Sequence, residues 1–133
     1  MSPTDIQSVF KKLGILSTPQ RIEVAKILLE KPQHLSADQI IDRLRGSGSA
    51  VSKATVYNTL NLFSERGLAK EVMVDPERKF YDSTTRPHHH FYNVDTGELA
   101  DIPDSQVLFE SLPELPDGTR RESVEVLIKV RDV

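Results

Sequence analysis

Three consecutive histidines, His88, His89 and His90, are the residues of this chain best suited to chemistry. One other histidine is present, His34, and carboxylates stand near the triplet at Asp82 and Asp101. In an extended backbone side chains alternate between faces, so His88 and His90 share one face and His89 points to the other. Two imidazoles with a neighbouring carboxylate make a donor set suited to a divalent transition metal. The plainer reading is an exposed polar loop. A purification tag is excluded, because tags run longer and sit at a terminus, whereas this triplet is internal. The chain has no cysteine, which rules out disulfides, thiolate zinc sites and thiol chemistry. Any metal must be held by nitrogen and oxygen.

The residues that position this cluster belong to a chain of 133, enough for one ordinary domain or two small ones. The net charge of -3 is unevenly placed. Residues 1–82 carry 12 Lys/Arg against 10 Asp/Glu, a balance of +2, and residues 83–133 carry 5 against 10, a balance of -5. The split suggests a front half compatible with a polyanion and an acidic back half with another task. No run of about eighteen apolar residues and no signal-peptide start is present, so a cytoplasmic protein with no membrane partner is expected.

The first half reads as helices. Thr4 or Asp5 can cap a first helix carrying Ile6, Val9, Phe10 and Leu13, stopped by Gly14. Thr18 followed by Pro19 starts a second helix, which Pro32 ends. Ser36 caps a third, with Ile40, Ile41 and Leu44 inward, closed by Gly46, Ser47, Gly48 and Ser49. Ser52 caps a fourth, with Val56, Leu60 and Phe63 buried and Gly67 just past its end. After Gly67 the period becomes two, and residues 69–74 and 79–82 flank a proline-led turn at residues 75–78. Helices followed by a two-stranded ribbon describe a winged helix-turn-helix. In the second half, residues 91–94 and 98–102 surround a tight turn at Asp95, Thr96 and Gly97. A proline-rich loop follows, with one helical turn near residues 106–112, and residues 122–131 alternate as a last strand. So short a sheet with one apolar face predicts a partner, most simply a second copy. The fold class is therefore α+β, a winged-helix domain at residues 1–84 followed by a small second domain at residues 85–133.

The fourth helix has the features of a DNA reader. Opposite its buried stripe it presents Lys53, Thr55, Tyr57, Asn58 and Asn61. Thr and Tyr can meet thymine methyls or phosphates, and Asn can pair with adenine. Ser52 and the helix N-terminus can hold a phosphate. Lys11, Lys12 and Arg21 are candidate backbone contacts, and Arg78 and Lys79 could bring the wing to a neighbouring groove. The domain is not strongly basic, so affinity for double-stranded DNA is expected to come from a dimer.

At this point the chain resembles the ferric uptake regulator family. The matching stretches are Thr18-Pro19-Gln20-Arg21, His34-Leu35-Ser36-Ala37, Lys53-Ala54-Thr55-Val56-Tyr57, Phe80-Tyr81-Asp82, and His88-His89-His90 leading to Gly97. The resemblance implies homodimeric winged-helix regulators with a metal between a DNA-binding domain, here residues 1–84, and a small α/β dimerisation and ligand-sensing domain, here residues 85–133. Carried over position by position, it implies metal ligands at His34, Asp82, His88, His90 and Asp101. It also implies iron or manganese as the ligand in the cell, with zinc possible in preparations. Relatives with two Cys-x-x-Cys pairs hold a structural zinc; Asn93 and Thr96 stand at the first pair here, so that zinc is absent. The triplet, the missing cysteines, the Tyr57-Asn58 pair and the tail from Leu112 onward resemble most the iron response regulator branch, which implies haem at His88, His89 and His90. Neutral imidazole is a common axial ligand of haem iron.

The function expected is control of iron homeostasis through binding at an AT-rich inverted repeat. The runner-up is a peroxide-sensing metal-dependent repressor, since the Asp82 and Asp101 ligand set resembles that branch. A small non-haem metalloenzyme shares the donor types, but no nucleophile motif or phosphate-cradling loop is present, so no enzymatic activity is expected.

Overall fold

The structure is a computed structural model and describes residues 2–133. The chain divides into a first unit ending at Thr85 and a second spanning Arg86–Val133.

Four helices build the first unit. Helix α1 spans Pro3–Leu13 and is capped by Ser2, whose hydroxyl accepts from Asp5 N while the Asp5 carboxylate accepts from Ser2 N. This corrects the cap expected at Thr4 or Asp5. Pro3 supplies a preset φ at the first helical position, so the helix begins two or three residues earlier and Asp5 becomes the reciprocal partner. Helix α2, Pro19–Leu28, is capped by Thr18, whose hydroxyl accepts from Arg21 N. It stops short of Pro32 because Gln33 turns back on it. The Gln33 side-chain amide donates to the carbonyls of Ile27 and Leu28, two acceptors that a helix end leaves open. Helix α3, Ala37–Gly46, begins in a capping box between Ser36 and Gln39, and α4, Lys53–Glu65, is capped by Ser52. Gly67, with φ of 80°, takes the left-handed position beyond α4 that favours glycine.

The buried faces of these helices meet in one core. Ile6, Phe10, Val24, Leu28, Ile40, Val56, Leu60 and Phe63 are fully buried, and the Phe10 and Phe63 rings lie 5.5 Å apart at 48°. The ribbon beside it has three strands rather than two: β1 (His34–Leu35), β2 (Lys70–Asp75) and β3 (Arg78–Asp82), ordered β1-β3-β2 and antiparallel throughout. Two residues are too few to show a period, so β1 is invisible in the sequence. Ser83 N donates to Gln33 O, and Gln33 N donates to Ser83 Oγ, which extends the β1–β3 pairing by one step.

The second unit is a sheet ordered β5-β4-β6, from β4 (His89–Asn93), β5 (Leu99–Ile102) and β6 (Leu127–Val130). Strands β4 and β5 form an antiparallel hairpin, and β6 joins β4 in parallel. The last strand is shorter than the ten residues the alternation suggested, because β4 offers only five positions to pair with. A 3-10 turn at Asp104–Gln106 takes the place of the helical turn expected at residues 106–112. Residues 107–126 have no regular structure, so among the described residues the helical part of this unit is that single turn.

Phe63 is fully buried in the helical core, with its ring against that of Phe10. Phe63→Ala should lower unfolding free energy by about 3–5 kcal/mol, whereas removing the α3 cap with Ser36→Ala should cost about 1 kcal/mol. Urea denaturation followed by circular dichroism reads both.

Candidate metal centre

The sheet of the second unit sorts the histidine triplet by face. His90 pairs with Asp101 and His89 with Ile102 in the β4–β5 register. The Nε2 atoms of His88 and His90 lie 3.2 Å and 3.3 Å from the same atom, Asp101 Oδ1. The two rings are 4.3 Å apart, and both side chains are buried, while Asp101 reaches solvent. One ligand atom from each of the three lies within 4.8 Å of the others, the spacing of a cation site. His88 Nδ1 is 2.8 Å from the Arg86 carbonyl, which can only accept, so Nδ1 bears the proton. In the neutral ring Nε2 then carries a lone pair facing a carboxylate oxygen. Two lone pairs at that distance repel unless a proton or a metal cation joins them, and a backbone carbonyl fixing the far nitrogen is the usual support of a metal-binding histidine.

The first unit carries a second pair of donors. His34 on β1 and Asp82 on β3 are direct register partners. Asp82 is buried and Oδ1 accepts from Thr84 N at 2.8 Å, while the His34 ring stands edge-on to Phe80, 6.3 Å between centroids. The β1–β3 pairing therefore brings together two candidate ligands 48 positions apart in the chain. The sequence named both residues but offered no reason for their adjacency.

His89 behaves differently from its neighbours. Its Nδ1 accepts the Val126 N–H at 2.8 Å, and its ring packs edge-on against Phe109 at 5.9 Å. A ring whose Nδ1 accepts holds its proton on Nε2, so neither nitrogen has a lone pair left for a metal or haem. Sequence reasoning grouped it with His88 and His90 as a haem residue and missed this structural engagement, which only the position of Val126 reveals.

The polar face of α4 is exposed at Lys53, Tyr57 and Asn58 and half-exposed at Thr55. Tyr57 donates to Asp38 of α3 over 3.4 Å, and the Ser52 hydroxyl accepts from Thr55 N and donates to the Thr55 hydroxyl. Lys12 is exposed, while the Arg21 guanidinium donates to the Leu16 carbonyl at 2.7 Å and so braces the α1–α2 loop. On the ribbon, Lys79 pairs with Glu71 at 3.3 Å and lies 5.7 Å from the Tyr81 ring centre. Burial pulls the Lys79 ammonium down, but the hydrogen bond to Glu71 and the charges of Tyr81 and Glu71 outweigh it, leaving it above the ordinary lysine value. Burial pushes the Tyr81 phenol above its ordinary value.

Fold and donors together define the class: a winged helix-turn-helix unit followed by a small sheet with histidine–carboxylate donors. The sequence profile of the ferric uptake regulator family matches residues 12–117. The peroxide operon regulator of Bacillus subtilis is 35% identical over 92 residues, 69% of this chain and 63% of the relative. The peroxide-responsive repressor PerR of Staphylococcus epidermidis is 31% identical over 92 residues, 69% of this chain and 61% of the relative. The matched region thus spans a little under two thirds of those relatives' length. Among solved structures, the ferric uptake regulator of Pseudomonas aeruginosa with manganese superposes with a TM-score of 0.72 at 25% identity, over 95% of this chain and 96% of that one. The Vibrio cholerae ferric uptake regulator shares the fold with a TM-score of 0.74 at 20% identity, over 94% and 98% of the two chains. The chain belongs to the ferric uptake regulator family. No helix among the described residues is long and apolar enough to cross a membrane.

Removing Asp101 leaves two buried imidazoles without their shared carboxylate. Asp101→Ala should weaken manganese binding by more than about tenfold, the least that loss of even an outer-shell partner costs. Titration calorimetry measures it, and an unchanged affinity excludes Asp101 as a ligand.

Proposed function

We propose that this protein is a homodimeric, metal-responsive DNA-binding transcription regulator of iron homeostasis acting in the cytoplasm. The observation that carries the reading is the convergence of His88 and His90 on Asp101 in a chain whose other unit is a winged helix. His34 and Asp82, already paired across β1 and β3, complete the donor set. Iron or manganese held by these residues would supply the cationic charge to which DNA binding responds. The protein's own groups do the rest. The Arg86 carbonyl orients His88, and the Thr84 amide orients Asp82.

DNA contact is assigned to the first domain. Lys53, Thr55, Tyr57 and Asn58 face the bases, with Ser52, Lys12 and Arg21 at the backbone, and an AT-rich inverted repeat suits one helix per half-site. The second domain is assigned to dimerisation. Phe91 and Ile128 are register partners on one face of its sheet and both are exposed, as are Leu108, Phe109, Leu112 and Leu115 in the loop that follows β5. A second copy covering this apolar surface is the simplest occupant.

The family relatives favour a second reading on the regulatory side, peroxide response, because two of them at 35% and 31% identity are described as peroxide regulators. The Val126 hydrogen bond to His89 counts against haem held by the whole triplet.

Fluorescence anisotropy on an AT-rich inverted repeat tests the main reading. Manganese should tighten binding by about 5- to 150-fold, the usual span of such couplings, and His88→Ala should remove the response while leaving the metal-free affinity unchanged. A response that survives in His88→Ala refutes the site, and binding that collapses on adding haem would make haem the effector. The peroxide reading is decided by peptide mass spectrometry of iron-loaded protein after peroxide: oxygen added at His34 or His88 supports it, and unmodified histidines overturn it.

Lys79 gives a separate check on the wing. Glu71→Gln should release it toward a phosphate and steepen the slope of log affinity against log salt by roughly 0.9. An unchanged slope places Lys79 off the DNA.

A further inference from the structure

Strand β6 joins the sheet by only four parallel pairs with β4. Parallel pairs are the weaker kind, and β6 arrives after a segment with no regular structure, so something beyond the ladder must seat it. Its far end is held by Asn93 and Asp95. The Asn93 amide donates to Asp132 at 2.9 Å, and the Asp95 carboxylate accepts from Asp132 N at 2.9 Å and Arg131 at 3.2 Å. Its near end is held at Val126. The His89 ring accepts from Val126 N at 2.8 Å, while His90 N donates to Val126 O at 3.0 Å. One residue of the incoming chain is therefore gripped twice, by the side chain of His89 and by the backbone of His90.

We infer that His89 is a positioning residue for the metal centre: by accepting the Val126 amide it clamps the C-terminal strand beside β4 and holds the backbone that carries His88 and His90. The inference rests on the metal reading given above and adds to it a role for the one histidine of the triplet that is not a ligand. The chemistry is specific. The acceptor is Nδ1, so the proton sits on Nε2, the opposite tautomer to His88. The Phe109 ring against His89 fixes the imidazole plane. With Val126 held on one side and Asp101 paired on the other, the backbone of His90 is fixed from both edges. Ligand imidazoles need such support, because a metal gains most from donors that need no reordering on binding.

Three variants test the clamp. In His89→Asn the side-chain oxygen falls where Nδ1 stood and can accept the same N–H. His89→Phe keeps the ring and removes the acceptor. Val126→Pro removes the donor and leaves all three imidazoles in place. Amide hydrogen exchange at Val126 in the metal-free protein should stay protected in the wild type and His89→Asn and lose protection in His89→Phe. Manganese affinity should be near wild type in His89→Asn and weaker by about 10- to 100-fold in both His89→Phe and Val126→Pro. Thermal melting of each variant confirms that the helical core is folded.

Wild-type affinity in both His89→Phe and Val126→Pro overturns the inference. So does a loss in His89→Asn as large as in His89→Phe, since the imidazole would then be acting as a ligand itself. If the wild type takes up no manganese, the metal reading fails, and the exchange data alone decide the clamp: equal protection in wild type and His89→Phe refutes it.

Discussion

Strand β4 is the only central strand of its sheet, and almost everything distinctive in the second unit depends on its alternation. One face must present donors and the other must fasten the chain, because both edges of the strand are occupied. His90 and Asp101 occupy the first face. His89 and Phe91, with Ile102 and Ile128 as their register partners, occupy the second. A one-residue slip would exchange the two sets, turning the accepting ring of His89 toward Asp101 and the donors toward the apolar side. The site and the fold of this unit are therefore one problem with one register as its solution.

The absence of cysteine sharpens that constraint. With no thiolate available at the turn, the Asn93 side-chain oxygen accepts from both Asp95 N and Thr96 N, shaping the β4–β5 turn. The amide of the same side chain reaches Asp132. Polar contacts at exposed sites contribute about 0.5–1.5 kcal/mol each as hydrogen bonds and at most about 1 kcal/mol as ion pairs. A set of these steers the turn and the strand end, but it does not replace a core. The sheet leaves Phe91, Ile128 and Val130 exposed, and Phe91 and Ile128 belong to the surface proposed above for a second copy.

The first unit solves a different problem, holding a polar helix face outward while a ribbon closes beside it. Its core is apolar and complete, and every one of its helices opens on a hydroxyl cap. Gln33 links the two tasks. Its side chain closes the end of α2 and its backbone pairs with Ser83, which sets His34 opposite Asp82. A helix cap and a pair of candidate ligands thus depend on the same short turn.

What the sequence determined by itself is local. Caps at Thr18, Ser36 and Ser52, the glycine beyond α4, the turn between β4 and β5, and the opposed faces of His89 and His90 all follow from residue type and period, since each is settled within a few positions. The first cap falls at Ser2 rather than at Thr4 or Asp5, because Pro3 opens the helix. Tertiary structure alone decided the rest. A two-residue β1 has no period to read, and the length of β6 was set by the length of β4. The pairing of His34 with Asp82 and the capture of Val126 by His89 join positions 48 and 37 residues apart. Such contacts are chosen by packing and by the need to satisfy buried donors and acceptors, which no local pattern encodes.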